Sequence, residues 1–174
     1  MFGTAALALL NTGRPAVPDA LDGAWLAASL PAWGIRPPRK VTDNDLEALR
    51  TVRALLRRLA HTVASGKPLS AKDLTDLNDL LGATPVRSMV EREGDRYILD
   101  MRPVAAGWLE VAIREVTGSF AAMLRADPSR LRICAAPGCE KAFWDETRSR
   151  TRTWCDTRTC GNRVRVSRHR DARS

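Results

Sequence analysis

The chain has 174 residues, 44% hydrophobic and 28% charged, a globular balance that excludes global disorder and leaves room for one core-bearing domain plus a small appendage. Apolar runs such as Ala5 to Leu10 fall far short of the ~20 residues a membrane helix needs, and no secretory leader pattern opens the chain, so a cytoplasmic protein with no membrane partner is expected. The net charge of +8 is unevenly spread: residues 1–129 carry 16 Lys/Arg against 15 Asp/Glu, and residues 130–174 carry 12 against 5, the layout of a polyanion-binding end on a near-neutral body.

In chain order, Met1 to Thr12 is small and apolar and ends in Asn-Thr-Gly, which reads as a short helix or strand running into a turn. Asp19 is expected to cap a segment whose Leu21, Trp25, Ala28 and Trp33 fit one helical face, until Gly34 and Pro37-Pro38 stop it. The clearest helix starts at Thr42, where Asp43, Asp45 and Glu47 suit the positive end of the helix dipole. Leu46, Leu49, Val52, Leu56, Leu59 and Val63 then recur at spacings of three and four, with Arg50, Arg53, Arg57 and Arg58 mainly on other faces, up to Ser65-Gly66. Ser70 should cap the next helix, lined by Leu74, Leu77 and Leu81. Val86 to Glu93 and Arg96 to Arg102, split by Gly94-Asp95, read as a hairpin. A last body helix is expected from about Pro103 to Arg125, with Trp108, Val111, Ala112, Val116 and Met123 toward the core. Asp127-Pro128 then opens a short helix that delivers Cys134.

The predicted fold class is therefore mainly α (α+β): a helical N-terminal domain with a small β-hairpin over residues 1–129, then a four-cysteine module over residues 130–174. Trp25, Trp33 and Trp108 read as packing residues, and His61 as a surface or core-edge residue. The sequence has no Gly-rich phosphate loop, nucleophile elbow or His-Glu-x-x-His helix, so no enzyme is expected.

All four cysteines lie in the basic quarter as Cys134-x4-Cys139, a fifteen-residue spacer, then Cys155-x4-Cys160. In a reducing compartment such a cluster reads as metal ligands before it reads as two disulfides. Two close pairs around a longer spacer suit a tetrahedral four-thiolate site, and Pro137-Gly138 supplies a turn inside the first pair. One structural Zn2+ with no open position is expected on Cys134, Cys139, Cys155 and Cys160, with iron the minor alternative. Four thiolates and one dication sum to −2, and Arg132, Lys141, Arg152, Arg158 and Arg163 are the candidates to neutralise them. Phe143 and Trp154 should form the small core of the module.

After Cys160 the chain could form a helix around which Arg163, Arg165, Arg168 and Arg170 are distributed. The spacer adds Arg148, Arg150 and Arg152, which would share a face if extended. Arginine forks suit phosphate and guanine edges, so these seven are the candidate nucleic-acid contacts. The bland alternative is that some of them neutralise thiolates or pair with Asp145, Glu146 and Asp156.

The run Cys134-x4-Cys139, Phe143, Asp145, Arg152, Trp154-Cys155, Cys160-Gly161-Asn162-Arg163 and Arg168-His169-Arg170 resembles the CGNR zinc finger. In that family the finger usually follows a helical domain called ABATE, found in bacterial proteins proposed to be stress-induced transcriptional regulators. Leu10-Asn11-Thr12 is similar to the Asn-Thr motif near the start of that domain, which makes Asn11 and Thr12 candidate motif or ligand residues. The resemblance implies a DNA-binding regulator whose zinc module touches nucleic acid, with the helical domain serving homodimerisation or sensing a small-molecule effector. The alternative is a module for RNA, with Trp144 as the stacking platform, or for an acidic protein.

Overall fold

The computed structural model describes residues 4–15, 17–104 and 106–171; the expected first segment therefore begins, at Met1 to Gly3, outside the described residues. Helix α1 (Thr4–Leu10) turns Ala5, Ala6, Leu9 and Leu10 into the core. Helix α2 (Gly23–Ser29) is capped by Asp22, whose carboxylate accepts the Trp25 N–H at 2.7 Å, and runs into a 3-10 turn, Leu30–Trp33. Asp19 is not the cap: Asp22 stands at the right offset, and the Asp19 carboxylate is drawn instead to Arg53.

Helix α3 (Asp43–Ala64) and helix α4 (Ala71–Gly82) both open with a capping box, Thr42 with Asp45 and Ser70 with Asp73, in which each partner receives a hydrogen bond from the other's backbone. Helix α3 buries Leu49, Val52, Leu56, Leu59 and Ala60 on the stripe expected from their spacing. Strands β1 (Val86–Glu93) and β2 (Arg96–Pro103) form the antiparallel hairpin, in register from Val86 opposite Pro103 to Glu93 opposite Arg96. Its Gly94 takes φ +61°, a turn conformation that favours glycine. One face of the hairpin carries Val90, Leu99 and Tyr97, which are 71%, 68% and 77% exposed and so add nothing to the core. On the other, Arg102 bridges Glu91 and Asp100.

Helix α5 (Trp108–Ala126) starts five residues later than Pro103, because Pro103 closes the hairpin ladder opposite Val86 and Gly107 becomes the N-cap. Helices α1, α3 and α5 pack together around Phe120, Leu9, Leu56, Leu59, Val116 and Met123, all 0% exposed. Trp25 meets Trp33 edge to face at 5.8 Å, and both, with Trp108, pack on this core. His61 is exposed.

Asp127-Pro128 does open a short 3-10 turn, Pro128–Arg130, but a strand delivers Cys134. Strand β3 (Leu131–Ile133) pairs antiparallel with β4 (Ala142–Trp144), Leu131 opposite Trp144, and lies against α3. Leu131 and Ala142 are buried in the same core as the helices, with Ile133 and Trp144 packed on it. A turn of π-helix, Thr157–Gly161, then leads into helix α6 (Asn162–Asp171). Among the described residues, no helix is long and apolar enough to cross a membrane.

Candidate metal centre and basic helix

The end of β3, the turn after it, the loop before the π-helical turn and that turn itself each contribute one cysteine. Backbone bonds set the first pair: Cys134 N–H donates to the Lys141 carbonyl at 2.9 Å and Cys139 N–H to Ala136 at 3.0 Å. Gly138 and Glu140 flank Cys139 with φ of +70° and +48°, which turns the chain sharply around the sulfur. The second pair rests on Asp156, whose carboxylate caps the π-helical turn by accepting the Thr159 N–H at 2.8 Å. All four sulfurs lie within 4.8 Å of one another. The Cys139–Cys155, Cys155–Cys160 and Cys160–Cys139 separations are 3.8, 3.7 and 3.6 Å. Sulfurs about 2.3 Å from a tetrahedral ion stand about 3.8 Å apart, whereas a disulfide needs about 2.05 Å. The cage therefore fits one zinc ion with four protein ligands and no position left for water.

The thiols feel this crowding. Burial pushes Cys155 and Cys160 up, and the neighbouring thiols of Cys160 and Cys139 respectively reinforce it. At Cys139 burial also raises the pKa, but the Lys141 N–H and the surrounding thiols outweigh it and bring the group down to about 7. Four sulfurs this close shed their protons together only around a cation.

The module's own core is Phe143, Ala136 and the cysteines, with Trp154 and Val164 packed on it. Gly161 sits close to the indole: a Cβ there would lie 3.1 Å from Trp154 Cδ1, so a larger residue would press on the ring. Arg152 stacks on the Phe143 ring at 5.1 Å, donates from Nε to the Trp154 carbonyl at 3.0 Å and also bonds the Cys155 carbonyl, so it works inside the module. Asp145 is fully buried, and its carboxylate accepts the Thr147 N–H and hydroxyl at 2.9 and 2.6 Å and the Arg152 N–H at 2.9 Å. That staple curls the spacer. Arg148, Arg150 and Arg152 consequently share no extended face: Arg148 is exposed, Arg150 takes φ +54° and pairs with Asp127 at 3.0 Å, and Arg152 turns inward.

Of the five candidates to neutralise the thiolates, Arg163 reaches a sulfur, its Nη2 lying 3.8 Å from Cys160 Sγ and 3.5 Å from the Pro137 carbonyl. Arg132 bonds the Arg150 carbonyl, and Lys141 serves through its backbone. On α6, Val164 is half-buried against the module while Arg165, Arg168, His169 and Arg170 are exposed. Arg165 and His169 are one turn apart on the helix.

Arg14 and Arg53, which sequence reasoning did not single out as site residues, join Asn11 and Thr12, to which the Asn-Thr resemblance points. The Asn11 amide pairs with the Ala142 backbone in both directions, Nδ2 to its carbonyl and its N–H to Oδ1, each at 2.9 Å. Arg14 Nη1 donates to the Cys139 carbonyl at 2.8 Å and lies 3.6 Å from its sulfur. Thr12 is buried; its hydroxyl donates to the Leu9 carbonyl at 2.9 Å and accepts from Arg53 at 2.7 Å. Arg53 in turn grips Asp19 with two bonds of 2.6 and 2.7 Å. Asn11 is thus placed in a joint between the helices and the metal module, while Thr12 is held within the helical domain by Leu9, Arg53 and Arg57. Only the Asn-Thr resemblance pointed at this stretch, since partners 125 or more positions away leave no local pattern.

Two family models match the chain in succession: the ABATE model, described as "Putative stress-induced transcription regulator", over residues 3–127, and the CGNR zinc finger over residues 130–173. No curated protein matches it.

Proposed function

We propose, for a chain that belongs to the ABATE family and ends in a CGNR zinc finger, that the finger presents α6 to DNA and that the protein is a zinc-dependent transcriptional regulator without catalytic activity. The observation that carries the reading is α6 itself. Its first turn follows directly on ligand Cys160, no acidic residue lies between Arg163 and Arg170, and Arg165, Arg168, His169 and Arg170 face solvent. A ten-residue helix is about 15 Å long and enters a major groove about 12 Å wide. Beside it, a cavity of about 480 Å³ lined by Pro137, Trp154, Arg163 and Arg168 offers room for a backbone phosphate. Arg148 is exposed and remains a candidate contact, whereas Arg150 and Arg152 already hold partners within the protein. The helical domain would then serve dimerisation or effector sensing in the cytoplasm.

Duplex DNA is favoured over single-stranded RNA by the position of Trp144, which is half-buried against the helical core rather than presented as a stacking platform. The test is a fluorescence-anisotropy titration of zinc-loaded protein on duplex DNA at several salt concentrations. Three or four phosphate contacts give a slope of log K against log salt of about −3. Replacing Arg165 and Arg168 by Ala should weaken binding about tenfold or more and flatten the slope by about 2. A slope near zero, or preference for single-stranded RNA or an acidic protein in competition, would overturn the DNA reading.

A further inference from the structure

A four-thiolate zinc site carries a charge of −2, and its stability depends on what donates hydrogen bonds to its sulfurs and holds its ligand loops. One such donor, Arg163, lies inside the finger at Cys160. A second side-chain donor belongs to the helical domain. Arg14 reaches Cys139 across 125 positions of sequence, bonding its carbonyl at 2.8 Å and standing 3.6 Å from its sulfur. Its guanidinium is aimed there: Nε is held by the Asn11 carbonyl at 3.1 Å. The loop that carries it is held in turn from α3, where Arg57 bonds the carbonyls of Leu10, Thr12 and Gly13. Gly13 takes φ +53°, and a Cβ there would sit 2.8 Å from the Asp19 carboxylate, so the loop has little freedom to place Arg14 elsewhere. Three residues after Cys139, the paired bonds between Asn11 and Ala142 fix the same ligand segment a second time.

We propose that Arg14 is an outer-sphere residue of the zinc site, through which the loop at residues 11–14 of the helical domain sets how firmly the finger keeps its metal. The guanidinium offsets part of the thiolate charge and holds Cys139 against detachment, the first step of metal loss. Changes to outer-sphere partners alter metal affinity about 10- to 100-fold. The proposal concerns metal retention alone and stands or falls independently of DNA binding.

The experiment uses the full-length zinc-loaded protein and follows zinc transfer to a pyridylazo-resorcinol chelator under reducing conditions. Arg14→Ala should shorten the half-life of transfer by about tenfold, and Arg14→Lys, which keeps a charge and a donor, should restore most of it. In cobalt-substituted protein, the thiolate-to-metal charge-transfer band should shift in Arg14→Ala and return toward the wild-type position in Arg14→Lys. Val116→Ala supplies the comparison, because it opens a space in the helical core at a residue 0% exposed and not among the partners of the joint. It should lower the melting temperature without changing transfer rate or band. Were Arg14→Ala to fail to fold, Arg14→Gln would carry the same comparison. Wild-type transfer and an unshifted band in the Arg14 variants, or an equal acceleration in Val116→Ala, would overturn the proposal.

Discussion

A carboxylate with no solvent around it must find donors, and Asp145 finds three, all within the seven residues that follow it. Burial alone would raise its pKa, but the Thr147 hydroxyl and the Arg152 and Thr147 N–H groups hold it below the ordinary carboxylate range. Asp145→Ala takes the acceptor from all three donors, which sit on the exposed Thr147 and the half-buried Arg152, and should cost about 2 kcal/mol in denaturant unfolding of the zinc-loaded protein, with Asp145→Asn costing less. Asp19 is held low chiefly by its hydrogen bonds from Arg53, against the opposing effect of burial. A carboxyl whose pKa is depressed on folding contributes fully above its unfolded value of about 3.9 and loses that contribution as the pH falls through the folded value. The stability advantage of wild type over Asp19→Asn should therefore be full at neutral pH and shrink below about pH 4. Parallel stability curves across that range would show that the Arg53 pair contributes nothing. Neither role was fully legible in the sequence: Asp145 is expected to pair with an arginine side chain but accepts the Arg152 backbone N–H and the Thr147 donors instead, and Asp19 reads as a cap because its ion pair spans 34 positions.

Elements that a local code specifies came through intact. The helix starts at Thr42 and Ser70, the stripe of α3 and the two strands of the β1–β2 hairpin all rest on residues within a turn or a ladder of one another. What failed needed non-local pairing. Pro103 joined the hairpin ladder rather than starting α5, and Leu131 to Ile133 became a strand because β4, beyond an eight-residue connection, offered its edge. The arginine run at 148–152 alternates as a strand would, but its backbone wraps the Asp145 carboxylate instead. Helix α6 has no apolar stripe beyond Val164 and depends on what precedes it, the π-helical turn capped by Asp156. Removing that cap in Asp156→Ala should lower the melting temperature of the zinc-loaded protein. It should also loosen α6 enough to weaken duplex binding without touching a single arginine. Unchanged binding and melting would mean that ligation of Cys160 alone orders the helix.

At the scale of the whole molecule, composition changes sharply at residue 130 but packing does not. Leu131 and Ala142 complete the core of α1, α3 and α5, and the joint from Asn11 and Arg14 grips the ligand segment from the other side. The zinc cage is thus tied to the main core through β3 and β4, and metal binding should stabilise the helices as well as the finger. Zinc at about a thousand times its dissociation constant contributes about 4 kcal/mol to the folded state, or about 10 °C in a chain of this size. Calorimetry of the zinc-loaded protein should therefore show one cooperative transition, and stripping the metal with a chelator under reducing conditions should move that whole transition down by about this amount. Two transitions, the larger indifferent to zinc, would mean that the shared residues of β3 and β4 leave the helical core at little cost and that the finger melts as a separate unit.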